Sequence, residues 1–214
     1  LTSGVTRRAV IQRTLLPVML EWFADTPDPD AGLLGFRRVS EALGTTPWYL
    51  RLLRDESATA QRLAIILGSS RYATDLLLKS PDAVNILATE ESLTPKPEKD
   101  LLEEAMATAA RYDNAPEAVL ALRAMRRREL FKISASDILG LTDIETVGNQ
   151  LAVVATATIS GTLSAIISRT PDAPRFSIIA MGRYGGGELG YGSDADVMFV
   201  YGDVDDSKQP NGPE

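Results

Sequence analysis

Apolar residues return every three to four positions along most of the first 170 residues, which is the period of helices with one buried face. In residues 6–25 the pattern is carried by Val10, Ile11, Leu15, Val18, Met19, Trp22 and Phe23, and Asp25-Thr26-Pro27 stops it. Pro17 lies inside this stretch and predicts a kink or a split, because proline lacks the amide that a helix interior needs. Pro29-Asp30 opens a second helix that runs to Leu43-Gly44, and shorter amphipathic segments follow at 47–54, 57–67 and 71–79. Ser80-Pro81-Asp82 predicts another helix start, with Ser80 as N-cap. Thr94-Pro95-Lys96-Pro97 breaks the chain before a helix over 98–112. Asn114 caps a long helix from Pro116 to about Leu139, which Gly140 ends. The last and most apolar helix spans 142–169, with a capping box expected at Thr142 and Glu145. Trp22 and Trp48 fall on apolar positions and are expected in the core.

The period then changes. Residues 176–181 and 194–201 are short apolar runs that fit strands, and six of the 16 glycines fall between them in 182–192. No convincing internal repeat is present. The fold class expected is α+β, a mostly helical region followed by the first strands of a second domain.

Composition narrows the chemistry. With 214 residues, 44% hydrophobic and 24% charged, the chain has ordinary globular composition and room for one large or two small domains. A formal net charge of -7 argues against a general nucleic-acid binder. With neither cysteine nor histidine, disulfides, the usual zinc sites and the Ser-His and Cys-His nucleophile pairs are excluded. Carboxylates, basic side chains, hydroxyls and backbone amides must do the work. No apolar run approaches the roughly 18 residues of a membrane span, and no secretory signal opens the chain. A cytoplasmic protein without a membrane partner is expected. The missing initiator Met and the polar end read as those of a piece of a longer protein.

The decisive stretch is 181–201. Residues alternate faces along a strand, so Asp194 and Asp196 are expected on one face, about 7 Å apart, with Ala195, Val197 and Phe199 turned into a core. Such an acceptor-only pair suits Mg²⁺, and two-metal phosphoryl transfer uses carboxylates of this kind. The glycines upstream let backbone amides approach phosphate oxygens closely. A bare Asp-x-Asp is usually a solvated turn and a glycine cluster usually a connector. Here the two occur together, after one strand and before another, which points to the metal-and-phosphate corner of a nucleotidyltransferase.

Gly182 precedes Asp194 by 12 positions, a spacing that resembles the polymerase-β-like nucleotidyltransferases. The fuller string Gly-Arg-Tyr-Gly-Gly-Gly-Glu-Leu-Gly-Tyr-Gly-Ser-Asp-Ala-Asp, from Gly182 to Asp196, resembles the signature of the glutamine synthetase adenylyltransferase family. Arg183 replaces the serine usual in the wider superfamily, and Ala195 replaces a larger aliphatic residue of the commoner family pattern. Weaker likeness runs upstream through Leu67–Pro81 and Leu122–Ile138, so that the resemblance covers about 39–203. It implies transfer of AMP from ATP to a tyrosine of glutamine synthetase, with two Mg²⁺ ions held by Asp194 and Asp196. Gly182, Arg183, Gly185, Gly186 and Ser193 would bind the nucleotide. A partner half would remove AMP by phosphorolysis; the string is closer to the adenylylating half. A PII-type nitrogen-signalling protein is the further partner implied, and nucleic acid is not.

On this resemblance residues 1–112 form a helical linker or regulatory region and 113–214 the N-terminal part of the nucleotidyltransferase domain. A third carboxylate from a later strand would complete the site. The acids after Asp196 are Asp203, Asp205, Asp206 and Glu214, in a loop-like stretch, so the chain by itself is expected to be catalytically inactive. Two other readings stand beside this one: a uridylyl or other nucleotidyltransferase, and a helical docking module with an incomplete catalytic stub. The basic helix carrying Arg123, Arg126, Arg127, Arg128 and Lys132 is either a solvated flank or a surface turned to the nucleotide or a partner. Glu188 either orients or caps the glycine loop.

Overall fold

Helical periodicity governs the chain as far as Ile167 in the computed structural model, which describes residues 7–43, 46–171 and 173–202. Spatial contacts divide it into two units: Leu1–Lys96 with Ala124–Ile144, and Pro97–Arg123 with Glu145–Glu214.

The first unit contains α1 (Arg7–Ala24), α2 (Pro29–Ala42), α3 (Pro47–Asp55), α4 (Ser57–Ser69), α5 (Arg71–Lys79), a 3-10 segment (Pro81–Ala88) and α6 (Glu90–Leu93). Helix α4 is the hub, packing against α1, α2, α3, α5 and the 3-10 segment through Leu63, Ile66 and Leu67. Phe23 and Phe36 meet there with ring centroids 6.3 Å apart. Helix α1 runs unbroken through Pro17. Asp28 caps α2 by accepting from the Ala31 amide at 3.0 Å and also accepts from Arg71 at 3.1 Å. That amide, with the Arg71 guanidinium second, holds its carboxyl below the usual carboxylate range.

Three expectations change in this unit. The segment after Ser80 is a 3-10 helix, and Ser80 makes no side-chain cap. Its final carbonyls, those of Leu87 and Ala88, accept from Arg62 at 2.9 and 3.2 Å instead of continuing a helical ladder. The short α6, capped by Thr89, was not anticipated. Trp22 and Trp48 are only half-buried, whereas Tyr49, beside Trp48, is fully enclosed and shares a hydrogen bond with Ser40.

Helix α8 (Ala115–Ile138) begins as expected, with Asn114 accepting from the Glu117 amide at 2.9 Å, and Gly140 follows its end. Its basic stretch divides. Arg123 and Arg126 are exposed, while Glu129 and Lys132 are 2% and 8% exposed. Glu129 gathers Arg128 at 3.2 Å, Lys132 at 3.4 Å and Lys96 at 3.8 Å. A buried carboxylate is tolerated because cations surround it.

The second unit holds α7 (Glu98–Ala110), the opening of α8, α9 (Ile144–Ile167), β1 (Phe176–Ala180), α10 (Gly182–Gly185) and β2 (Val197–Tyr201). Helix α9 starts at Ile144, so Asp143 rather than Thr142 adjoins its first residue, and Thr142 is not its N-cap. By length and composition alone α9 would suffice to cross a membrane, which corrects the expectation that no apolar run reaches that length. Here it is a packed helix. Val147, Leu151, Val154, Ala157, Gly161 and Ala165 form its buried stripe. A Cβ at Gly161 would meet Leu122 Cδ2 at 2.8 Å and the Ala105 carbonyl oxygen at 3.1 Å, so three helices converge at this point. Arg169 then donates to the carbonyls of Ala109, Tyr112 and Asp113, tying the end of α9 to the α7–α8 connection.

Strands β1 and β2 pair antiparallel in a two-stranded sheet, from Phe176 opposite Tyr201 to Ala180 opposite Val197. The architecture is therefore α+β, mostly helical. Phe176, Ile178, Val197 and Phe199 share one face and line an open apolar groove of about 550 Å³ with Ile159 and Ile166 of α9.

The Glu129 cluster generates a prediction. Glu129→Ala leaves Lys132 buried without its carboxylate and should cost about 3–5 kcal/mol, whereas joint Glu129→Met and Lys132→Leu should cost far less. Urea denaturation of the two variants measures the difference.

Candidate active site

β1 ends at Ala180, and the next backbone amide, that of Met181, donates to the Asp196 carbonyl at 2.9 Å. The ladder thus continues one residue past the strands, and Asp196 sits at a defined register although β2 begins only at Val197. Asp194 and Ala195 lie in the irregular lead-in. This corrects the expected strand over 194–201. Ala195 is exposed, and Phe199 lines the groove while remaining 60% exposed, so neither is enclosed in a core. Period-two alternation carried back from Val197 places Asp196 on the face opposite the groove.

Between the strands the chain makes one helical turn, α10. Gly182 enters it at φ 53°, a conformation that side chains with a Cβ rarely adopt. A Cβ there would lie 3.1 Å from Asp196 Oδ2, so the turn and the carboxylate are immediate neighbours. The turn is closed by its own backbone: Gly185 N–H donates to Met181 O at 2.8 Å and Gly186 N–H to Gly182 O at 3.0 Å. Glu188 N–H donates to Arg183 O at 2.8 Å. The expectation is that the Gly185 and Gly186 amides approach an anion; in the structure these two amides are engaged within the turn. Gly185 supplies space, since a Cβ there would fall 2.6 Å from the Ala180 carbonyl oxygen.

Ser193 braces the loop that leads into the acids. Its hydroxyl oxygen accepts from Gly190 N–H and its own amide donates to Gly190 O, both at 3.1 Å. Arg183 and Glu188 are exposed, as are Asp194 and Asp196. Among the described residues neither aspartate has a side-chain hydrogen bond or ion pair, and no third acidic side chain joins them to make a group of three. Asp203, Asp205, Asp206 and Glu214 lie outside the described residues.

The geometry therefore brings Gly182 against Asp196, with Asp194 two residues away and Arg183 on the same turn. It also reveals residues to which the linear pattern assigns no role. Tyr184 is buried beneath the turn, and its hydroxyl meets the Thr156 hydroxyl of α9 at 3.0 Å. Gly148 of α9 faces the backbone of Gly187 and Glu188, where a Cβ would fall 3.3 Å from Glu188 Cα. A tyrosine among glycines was the available signal for the first of these contacts.

Residues 60–213 match the glutamate-ammonia ligase adenylyltransferase family. The chain belongs to this family. Relatives include the bifunctional glutamine synthetase adenylyltransferase/adenylyl-removing enzymes of Cutibacterium acnes, 52% identical over 203 residues, and Streptomyces coelicolor, 52% identical over 219. The Mycolicibacterium smegmatis protein of the same name is 44% identical over 207 residues. These alignments cover 95%, 94% and 94% of the chain but 20%, 22% and 21% of the relatives, so the chain spans about one fifth of the length of the adenylyltransferases it matches.

The two glycines of the turn should separate on substitution. Gly185→Ala forces the new methyl against Ala180 and should cost about 1–3 kcal/mol, as overpacking does. At Gly186 a Cβ would meet Gly182 O at 3.5 Å, an ordinary contact, and Gly186→Ala should change stability by no more than about 0.5 kcal/mol. Denaturant titration of both variants checks this.

Proposed function

We propose that the turn at 182–185 and the acids Asp194 and Asp196 are the metal-and-phosphate corner of an adenylyltransferase. In the whole protein this corner transfers AMP from ATP to a tyrosine of glutamine synthetase, in the cytoplasm. The observation that carries the reading is the Asp196 carboxylate beside Gly182, with Asp194 two residues before it and neither acid partnered among the described residues, in a chain of the adenylyltransferase family. The domain is of the polymerase-β-like type and belongs to the adenylylating half, a related half removes AMP by phosphorolysis, and a PII-type protein signals to the enzyme.

The donor set fits Mg²⁺, because two exposed carboxylates offer hard oxygen ligands with no competing cation bound to them among the described residues. Asp194 and Asp196 would hold up to two such ions. When bound, they supply charge neutralisation at the phosphates and activation of the attacking oxygen. The chain's own contributions are positional. Gly182, without a Cβ, leaves the approach to Asp196 open. Arg183 presents a cation to the phosphates from the same turn, and Ser193 fixes the loop from which Asp194 projects. Gly185 and Gly186 keep the turn compact enough for the triphosphate to lie against it.

The test uses the full-length protein with labelled ATP or UTP and glutamine synthetase as acceptor. Label from ATP should reach glutamine synthetase, and Asp194→Asn or Asp196→Asn should lower the transfer rate on the order of 100-fold or more, as losing an electrostatic element of a site does. Wild-type turnover in either variant overturns the metal assignment. Preferential transfer from UTP overturns the choice of nucleotide.

A further inference from the structure

We propose that Tyr184, Thr156 and Gly148 are positioning residues that set the distance between the glycine turn and the carboxylates, by fastening the turn to α9 at two points. This rests on the reading of 182–196 as a nucleotide site. Gly182 stands where a Cβ would be 3.1 Å from Asp196 Oδ2, so a displacement of the turn by a few tenths of an ångström changes the gap between phosphate-binding backbone and metal-binding acid. The Met181–Asp196 bond pins only the entry to the turn, and the hydrogen bonds of Gly185, Gly186, Gly187 and Glu188 run between 181 and 188, so they shape the rest of the turn without anchoring it.

The anchors lie on α9. At the first, the loop comes close over the helix backbone: a Cβ on Gly148 would stand 3.3 Å from Glu188 Cα and 3.4 Å from the Gly187 carbonyl oxygen. At the second, the Tyr184 ring is 7% exposed and its hydroxyl pairs with Thr156 at 3.0 Å. Gly148 and Thr156 are eight residues apart, about 12 Å along the helix axis. A loop held at two separated points resists tilting as well as sliding, which one contact would not ensure. α9 is held in turn by α7 and α8 through Gly161, so the turn inherits the rigidity of a packed three-helix cluster.

The experiment compares Thr156→Val, Thr156→Ser, Tyr184→Phe and Gly148→Ala in the full-length protein, with Asp194→Asn alongside. Thr156→Val conserves shape and removes the hydroxyl; Thr156→Ser retains it. The expected result is a KM for ATP raised about tenfold in Thr156→Val, Tyr184→Phe and Gly148→Ala, as small misplacements of a reacting group produce. The KM for glutamine synthetase and the melting temperature should stay at wild-type values, and Thr156→Ser should restore the KM for ATP. Amide hydrogen exchange should quicken in 182–188 and nowhere else. An unchanged KM for ATP, unchanged exchange in 182–188, or a general fall in stability that raises both KM values together overturns the positioning role. Wild-type turnover in Asp194→Asn overturns the underlying site reading instead, and the hydrogen-exchange result then still reports whether α9 anchors the turn.

Discussion

One backbone hydrogen bond, from Met181 N–H to the Asp196 carbonyl, sets the strand register on which the candidate site depends. It lies where the two-stranded ladder runs out and the irregular segments begin. On one side the chain must turn at once, which Gly182 allows; on the other an acid arrives at known register. Shifting the pairing by one residue would move Asp196 to the groove face and put an apolar side chain beside the turn. The apolar alternation of Phe176, Ile178, Val197 and Phe199 against α9 is what opposes that slip. Packing on one face of the sheet thereby specifies chemistry on the other.

Much of this was readable in advance because the signals are local. Helix α2 began at Pro29 and α5 at Arg71 where the pattern placed them, and Asn114 capped α8, since caps and periodicity depend on neighbouring residues. The glycine turn, the two strands and their connection were legible for the same reason. The misses depend on partners far along the chain. The 3-10 segment ends on the guanidinium of Arg62, some 25 residues away. The burial of Glu129 with Lys132 could not be told from an exposed i,i+3 pair, because the linear pattern is the same in both cases. Asp194 fell outside the strand because ladder pairing stops where Met181 turns into α10, which an alternating apolar pattern does not reveal.

Within the site the same division holds. The acids and glycines declare themselves by type and spacing. Their support does not: Thr156 lies 28 positions before Tyr184, in a helix whose sequence reads as plain apolar packing with interspersed hydroxyls. Polar residues on such a helix are ambiguous until the fold shows which of them meets a partner. The basic stretch of α8 was ambiguous in a like way, and it resolves into an exposed pair, Arg123 and Arg126, and a buried cluster around Glu129.

Both tryptophans, Trp22 and Trp48, belong to α1 and α3 of the first unit. The unit that carries Gly182, Asp194 and Asp196 contains tyrosine and phenylalanine but no indole. Intrinsic tryptophan emission of this chain therefore originates in the first unit, and the unit of the candidate site has no indole of its own. A fluorescence trace that does not move when nucleotide is added would say nothing about occupancy, and an optical reporter for the site has to be placed there by design.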